Sequence, residues 1–143
     1  MTKHGWSVAA LAVAFAAGFA ARGAVTDGEV VHAQAATKVY ELRTYVVPED
    51  RLTLLHARFR NHTLRVFQKH NIANVVYFSP QDPEKAKTTM MYLISHPSRE
   101  AADRNWKAFA SDPEWQAIAK ESGVGPVKIT REFLDPTDYS PMK

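Results

Sequence analysis

Three polar side chains alternate along the most strand-like segment of this sequence. Residues 39–47 are rich in β-branched and aromatic residues and are followed by Pro48, which is typical of a β-strand. Successive side chains of a strand point to opposite faces, so Glu41, Arg43 and Tyr45 share one face. Their chemistry could orient an anionic or carbonyl-bearing ligand, because the guanidinium donates hydrogen bonds and Glu41 or Tyr45 can exchange a proton.

A histidine offers the other candidate for proton transfer. His96 ends a predicted strand just before Pro97, and we consider it as a general base, with a turn-stabilising hydrogen bond as the more ordinary role. His56, His62 and His70 lie along one predicted helix, but no His-Glu-x-x-His motif and no cysteine are present, so we expect no metal site. Motifs of nucleophilic catalysis and of phosphate-binding loops are also missing, and no cofactor is implied.

The elements that would position these residues follow from periodicity and capping signals. They are a strand at 39–47, a helix from 49 to about 70, strands at 74–78 and 89–94, a helix from Ser98 that breaks at Ser111 and restarts at Asp112, and a strand at 127–134. The tail from 135 to 143 is predicted to be irregular. The order β-α-β-β-α-β predicts an α+β, ferredoxin-like fold with a four-stranded antiparallel sheet.

The first predicted helix is amphipathic and basic. Its inward positions are Leu52, Leu55, Phe59 and Val66. Arg51, Arg58 and Arg65 repeat every seven residues, and Lys69 follows. Such a stripe could meet an anionic surface, but a solvated flank whose methylene groups cover the apolar face is the favoured interpretation.

The N-terminal region has the layout of a secretory signal peptide. Lys3 and His4 precede the uncharged stretch 8–21, and Ala33-Gln34-Ala35 offers a small-residue cleavage site. We therefore interpret residues 1–35 as a signal peptide cleaved after Ala35, which sends domain 36–143 to the periplasm or outside the cell. The alternative is an uncleaved membrane anchor, although the apolar stretch is shorter than a membrane-spanning helix needs.

Composition narrows the class of protein. The 143 residues are 45% apolar and 23% charged, with a net charge of +3 and no cysteine. This balance is typical of one globular domain and excludes a disulfide scaffold and a disordered chain. The mild, interspersed charge gives no support to nucleic-acid binding. An exported domain without disulfides must obtain its stability from its core and from any oligomer interface.

Two stretches of the chain together resemble the NIPSNAP family. One is Tyr-Glu-Leu-Arg-Thr-Tyr at 40–45, and the other is 98–115, where two tryptophans flank an Asp-Pro turn. The second stretch carries Arg99, Arg104, Trp106, Phe109 and Ser111-Asp112-Pro113-Glu114-Trp115. The resemblance extends over 39–139. The first helix departs from it by opening with Pro48-Glu49-Asp50, where a Pro-Gly start is expected.

The resemblance implies a dimeric α/β barrel, in which two ferredoxin-like subunits join the sheet faces that carry no helices. Glu41, Arg43 and Tyr45 would then line the shared lumen, and Leu42 would face the helix-covered core. The alternative is a purely structural role, in which Arg43 and Glu41 neutralise each other at the dimer interface and tyrosine hydroxyls are further hydrogen-bond partners. The family's mitochondrial members are associated with vesicle and mitophagy roles, and its biochemical activity is largely unestablished.

These observations lead to three functional hypotheses. The leading one is an exported homodimer that binds a small ligand or acts as an interaction module, with Arg43, Glu41 and Tyr45 as ligand contacts. Its rival is a cofactor-independent enzyme, similar to monooxygenases or isomerases, that uses a polar lumen with Glu41, Tyr45 or His96 in catalysis. That rival rests on fold analogy. The third is a structural dimer without a ligand. After signal cleavage, no membrane or nucleic-acid partner is expected.

Overall fold

A computed structural model describes residues 38–142, so the predicted signal peptide lies outside the described residues. The strands are β1 (Val39–Val46), β2 (Ala73–Phe78), β3 (Thr89–His96) and β4 (Lys128–Leu134), and the helices are α1 (Leu52–Arg58), α2 (Leu64–Lys69), α3 (Arg99–Ser111) and α4 (Pro113–Glu121). Short 3-10 turns occupy Glu49–Arg51 and Lys85–Lys87, and a π-helical segment, Phe59–Thr63, joins α1 to α2. None of the helices within 38–142 has the length and apolar content that a membrane crossing needs.

The four strands form one antiparallel sheet. Their order is β2-β3-β1-β4, which places β1 and β3 at the centre. The pairing β1–β3 runs in continuous register from Val39 opposite His96 to Val46 opposite Thr89. This topology confirms the predicted α+β, ferredoxin-like fold.

The predicted long first helix is present as a continuous helical run with a π segment at its middle. Leu55 and Val66 are fully buried, and Leu52 and Phe59 nearly so, as the periodicity predicts. The π segment was not foreseen. At its start the Arg58 carbonyl accepts a hydrogen bond from Thr63 Oγ1 at 3.2 Å. One extra residue per turn re-aims the side chains that follow Arg58, and such bulges are frequent at functional sites.

The helix-end signals of α3 and α4 act as predicted. Ser98 Oγ accepts from the Ala101 amide at 3.1 Å, and Asp112 Oδ1 accepts from the Glu114 amide at 2.8 Å. The Asp112 carboxylate also binds Lys69 Nζ at 2.7 Å and His70 Nε2 at 2.6 Å. Lysine and histidine hydrogen bonds lower the pKa of Asp112 well below its usual range. Asp112 therefore connects the start of α4 to the end of α2 through hydrogen bonds and an ion pair.

The predicted facing of β1 is wrong. Glu41, Arg43 and Tyr45 are buried on the helix-covered side of the sheet, where Glu41 bonds to Trp106 of α3 and Tyr45 packs edge-on against Phe59. Leu42 alternates with them and lies on the opposite face. The physical reason is that these polar side chains bond to one another and to Trp106 and His96 beneath the helices, so their polarity does not require a solvated face.

The helix-free sheet face carries large apolar side chains that are partly exposed. Val46, Phe78 and Leu134 are 38%, 48% and 38% exposed, and Phe78 pairs with Met91 on this face. At one end the tail beyond β4 approaches this face, and a cleft of about 250 Å³ lies between Tyr40 and the tail. The rest of the face has no covering element within residues 38–142.

Candidate functional site

The buried Glu41 carboxylate is the centre of a polar cluster on the helix-covered side of the sheet. Its Oε1 accepts from Arg43 Nε at 2.9 Å, and its Oε2 accepts from Trp106 Nε1 at 2.6 Å. His96 Nε2 lies 3.3 Å from the same Oε2. The strand pairing explains the meeting, because Glu41 and His96 lie on adjacent central strands and α3 crosses above them. We call Glu41, Arg43, Tyr45, His96 and Trp106 the Glu41 cluster.

Arg43 is held on three sides. Its Nη1 donates to Tyr45 Oη at 3.1 Å, its Nε donates to Glu41, and its guanidinium carbon lies 3.8 Å from the centre of the Trp106 ring. The last contact is a cation–π interaction at close range. Tyr92 Oη is buried nearby but makes no hydrogen bond with normal geometry.

His96 is fixed in one tautomer by its neighbours. Asn105 Nδ2 donates to the backbone carbonyl of Asn71 at 2.9 Å, which determines how the amide is oriented. The same nitrogen lies 3.4 Å from His96 Nδ1, so Nδ1 must accept the hydrogen bond. The imidazole proton therefore resides on Nε2, facing Glu41. Asn71 adopts φ of 56°, a left-handed conformation that asparagine tolerates.

Electrostatics stabilise the ionised forms of Glu41 and Arg43. Desolvation would raise the pKa of Glu41, but hydrogen bonds from His96, Trp106 and Arg43 outweigh it and lower the pKa. Desolvation would likewise lower the pKa of Arg43, but Tyr45, Tyr92 and Glu41 outweigh it and raise the pKa. The pair is therefore an internal salt bridge at neutral pH, with both charges hydrogen-bonded.

The candidate catalytic residues predicted from the sequence are thus brought together, but their reactive atoms are occupied. Both oxygens of Glu41 and both ring nitrogens of His96 have partners, and Tyr45 Oη accepts from Arg43. Proton transfer to a substrate needs an available atom. The predicted turn-stabilising bond of His96 is replaced by the contact with Glu41. The ligand and catalytic roles of these four residues stay predictions.

Sequence reasoning missed two members of this region. Trp106 packs against the core, and its indole nitrogen also donates to Glu41. Asn105 was not singled out at all. The sequence around these two neighbouring residues of α3 gave no signal for their contacts, because Glu41 is 65 residues from Trp106 and His96 is 9 residues from Asn105.

A cleft of about 630 Å³ lies beside the Glu41 cluster, at the end of the sheet where β2 begins and β3 ends. Ile72, Ala73 and Pro97 form apolar parts of its wall, and Lys38 and Asn74 contribute polar groups. His96 also lines it, although its side chain is fully buried. This volume is in the range of small-molecule sites. No group of three His, Asp or Glu side chains suited to a metal occurs within residues 38–142.

Comparison with known proteins decides the family. The NIPSNAP family model matches residues 40–141. The chain belongs to the NIPSNAP family. No curated protein matches the sequence.

Solved structures agree with the NIPSNAP fold. A NIPSNAP family protein of unknown function from Agrobacterium tumefaciens is 15% identical, with a TM-score of 0.65 over 76% of this chain and 96% of the other. A second Agrobacterium family protein is 21% identical, with a TM-score of 0.62 over 74% and 99%. A protein described as an antibiotic biosynthesis monooxygenase from Bacteroides thetaiotaomicron is 16% identical, with a TM-score of 0.50 over 76% and 97%. At these identities the likeness shows the fold alone.

Proposed function

We propose that this NIPSNAP-family protein is an exported homodimer that binds a small ligand in the cleft beside His96. The observation that carries the ligand proposal is the cleft itself, a concave site whose wall is backed by a fully hydrogen-bonded polar cluster. A rigid wall reduces the conformational cost of binding. The mixture of apolar walls with the Lys38 ammonium group suits a ligand with an apolar body and one anionic or hydrogen-bond-accepting end.

The occupied atoms of the Glu41 cluster favour binding over catalysis. A general base would need a nitrogen or oxygen turned to the cleft, whereas both ring nitrogens of His96 already bond to Glu41 and Asn105. The cluster therefore supports the cleft wall. The rival hypothesis of a barrel-lumen enzyme loses the three residues assigned to its lumen, because Glu41, Arg43 and Tyr45 lie on the other side of the sheet.

The ligand proposal is tested by native mass spectrometry of the purified protein. We expect a co-purifying compound, which is released on denaturation. Gln68→Trp places a large side chain at the exposed wall of the cleft and should abolish its occupancy. Thr53→Trp, exposed on α1 away from the cleft, is the matched control and should keep it. An equal occupancy in the two variants, or no compound in the unchanged protein, contradicts the proposal.

The homodimer is proposed from the helix-free sheet face. Val46, Phe78 and Leu134 expose apolar surface to water. If two copies join these faces about a two-fold axis, the apolar side chains of both protomers are covered. Phe78→Lys should convert the dimer to a monomer in sedimentation velocity. Leu54→Lys, an equally apolar exposed position on the helix side, should leave the dimer unchanged. A monomer at micromolar concentration in the unchanged protein overturns this part.

Export is proposed from the N-terminal pattern alone. Cleavage after Ala35 predicts that the protein recovered from the periplasm or medium begins at Ala36. Intact-mass measurement of the recovered protein tests this start. A full-length mass in the membrane fraction would instead indicate an anchor.

A further inference from the structure

Arg58 carries a buried positive charge that no acidic side chain within residues 38–142 neutralises. The residue is 8% exposed, and its Nε is buried without a hydrogen-bond partner. Its Nη1 reaches only Ser122 Oγ, at 3.5 Å, and that hydroxyl itself donates to the Ala119 carbonyl. Among residues 38–142 no carboxylate lies within ion-pair distance of Arg58, whose guanidinium stands 5.2 Å from the Trp115 ring.

The other buried charges within the described residues are balanced. Glu41 neutralises Arg43, and Asp112 is bound by Lys69 and His70. Arg58 is thus an excess buried cation, and burial lowers its pKa below the usual value. A buried charge without a partner is costly, and arginine is rarely buried unpaired. Within residues 38–142, the contacts that offset this cost are the Trp115 ring and the long hydrogen bond to Ser122, and neither of them is anionic.

Arg58 lines a cavity of about 220 Å³ between α1, the π segment and the end of α4. The π segment brings Asn61 and His62, both exposed, to the same cavity, and both can donate hydrogen bonds. Leu54 and Ile118 form apolar parts of its wall. Cavity, cation and donors therefore occur at one place, which shares no lining residue with the cleft beside His96.

We propose that this cavity binds a small carboxylate, with Arg58 as its counter-cation and Asn61 and His62 as hydrogen-bond donors. A guanidinium matches the two oxygens of a carboxylate in fork geometry. The Glu121 carboxylate also lines the cavity, so a doubly charged anion such as hydrogen phosphate meets more repulsion than a singly charged carboxylate. The volume admits an acetate-sized group or the carboxylate end of a larger molecule.

Thermal unfolding in sodium acetate tests the site. At pH 7 and constant ionic strength, replacing chloride by acetate should raise the melting temperature, because the folded state alone has the site. Arg58→Met should weaken the apparent acetate affinity by roughly tenfold or more, the scale of a charge-assisted hydrogen bond. Arg60→Met, an exposed arginine two residues away, should respond to acetate like the unchanged protein. Equal responses of the two variants overturn the proposal.

Two further measurements keep the proposal falsifiable if Arg58→Met folds poorly. The Arg58 Nε–H resonance of the unchanged protein should shift on acetate titration and saturate, while that of Arg60 should not; a stationary Arg58 resonance overturns the site. Phosphate at the same ionic strength should stabilise less than acetate, and Glu121→Gln should reduce the difference. Stronger stabilisation by phosphate overturns the assignment to carboxylates.

Discussion

Two arginines of this protein are equally buried, but their charged groups have different neighbours. Arg43 and Arg58 are 9% and 8% exposed. Arg43 has a carboxylate, a phenol and an indole ring around it, and its pKa is raised once these outweigh desolvation. Arg58 has a hydroxyl at the limit of hydrogen bonding and a more distant indole ring, and desolvation lowers its pKa. The difference lies in the neighbours and not in the depth of burial.

The secondary structure explains why one arginine finds its partner and the other does not. On a strand, residues two apart share a face, so Glu41 and Tyr45 flank Arg43 directly. On a helix the neighbours lie three and four residues away, and for Arg58 these include Leu54 and His62. No acidic residue occurs between 51 and 72. A counter-ion for Arg58 must therefore come from another element or from a ligand.

The largest expected effect is the difference in unfolding free energy between the methionine variants of the two arginines. Arg43→Met leaves the Glu41 carboxylate buried without its cation and should lower the free energy of unfolding by about 3–5 kcal/mol. Arg58→Met removes an unpaired buried charge and should be neutral or stabilising in chloride buffer. Urea unfolding at pH 7 measures both.

Equal destabilisation by the two substitutions would break the comparison. It would mean that packing of the arginine methylene groups, and not charge pairing, determines the cost. Arg60→Met, at an exposed position, provides the baseline for losing an arginine and should change the free energy of unfolding by less than about 0.5 kcal/mol.

The sequence was sufficient for the fold because its determinants are local. Apolar positions three and four apart gave the helix that contains Leu55 and Val66, and the Ser98 and Asp112 caps gave the ends of α3 and α4. The order of these elements along the chain then predicted the ferredoxin-like topology. The π segment could not be predicted, because it differs from an α-helix in its backbone hydrogen-bond spacing and not in its residue types.

The sequence predicted four members of the Glu41 cluster, Glu41, Arg43, Tyr45 and His96, but not the face of the sheet on which they lie. Alternation placed Glu41, Arg43 and Tyr45 on one face, while the barrel implied by the NIPSNAP resemblance assigned them to the helix-free face. The partners that make burial tolerable, Trp106 and His96, are distant in sequence, so their contribution was not visible. The prediction for Arg58 was wrong for a related reason. The seven-residue spacing of Arg51, Arg58 and Arg65 indicated a solvated flank, whereas the tertiary structure buries Arg58.

An intermediate effect is expected on acidification. The pKa of Glu41 is lowered in the folded protein from its ordinary value of 4.5, so the carboxylate contributes stability above that pH. This contribution is lost as the pH falls from 4.5 through the folded-state pKa. Glu41→Gln lacks the titrating group, so the gap in unfolding free energy between it and the unchanged protein should narrow between pH 7 and pH 3. A gap that stays constant, measured by urea unfolding, contradicts the lowered pKa.

The smallest expected effect compares two tyrosines beside the arginines. Tyr45 Oη accepts a hydrogen bond from Arg43, so Tyr45→Phe removes a charge-assisted bond and should cost about 1–2 kcal/mol. Tyr92 Oη is buried without a partner, so Tyr92→Phe removes an unsatisfied group and should be neutral or stabilising. Both changes remove one hydroxyl from a buried ring, so their volumes match. If Tyr92→Phe costs as much as Tyr45→Phe in urea unfolding, the Tyr92 hydroxyl has a hydrogen-bond partner in the folded protein, which contradicts its assignment as an unsatisfied group.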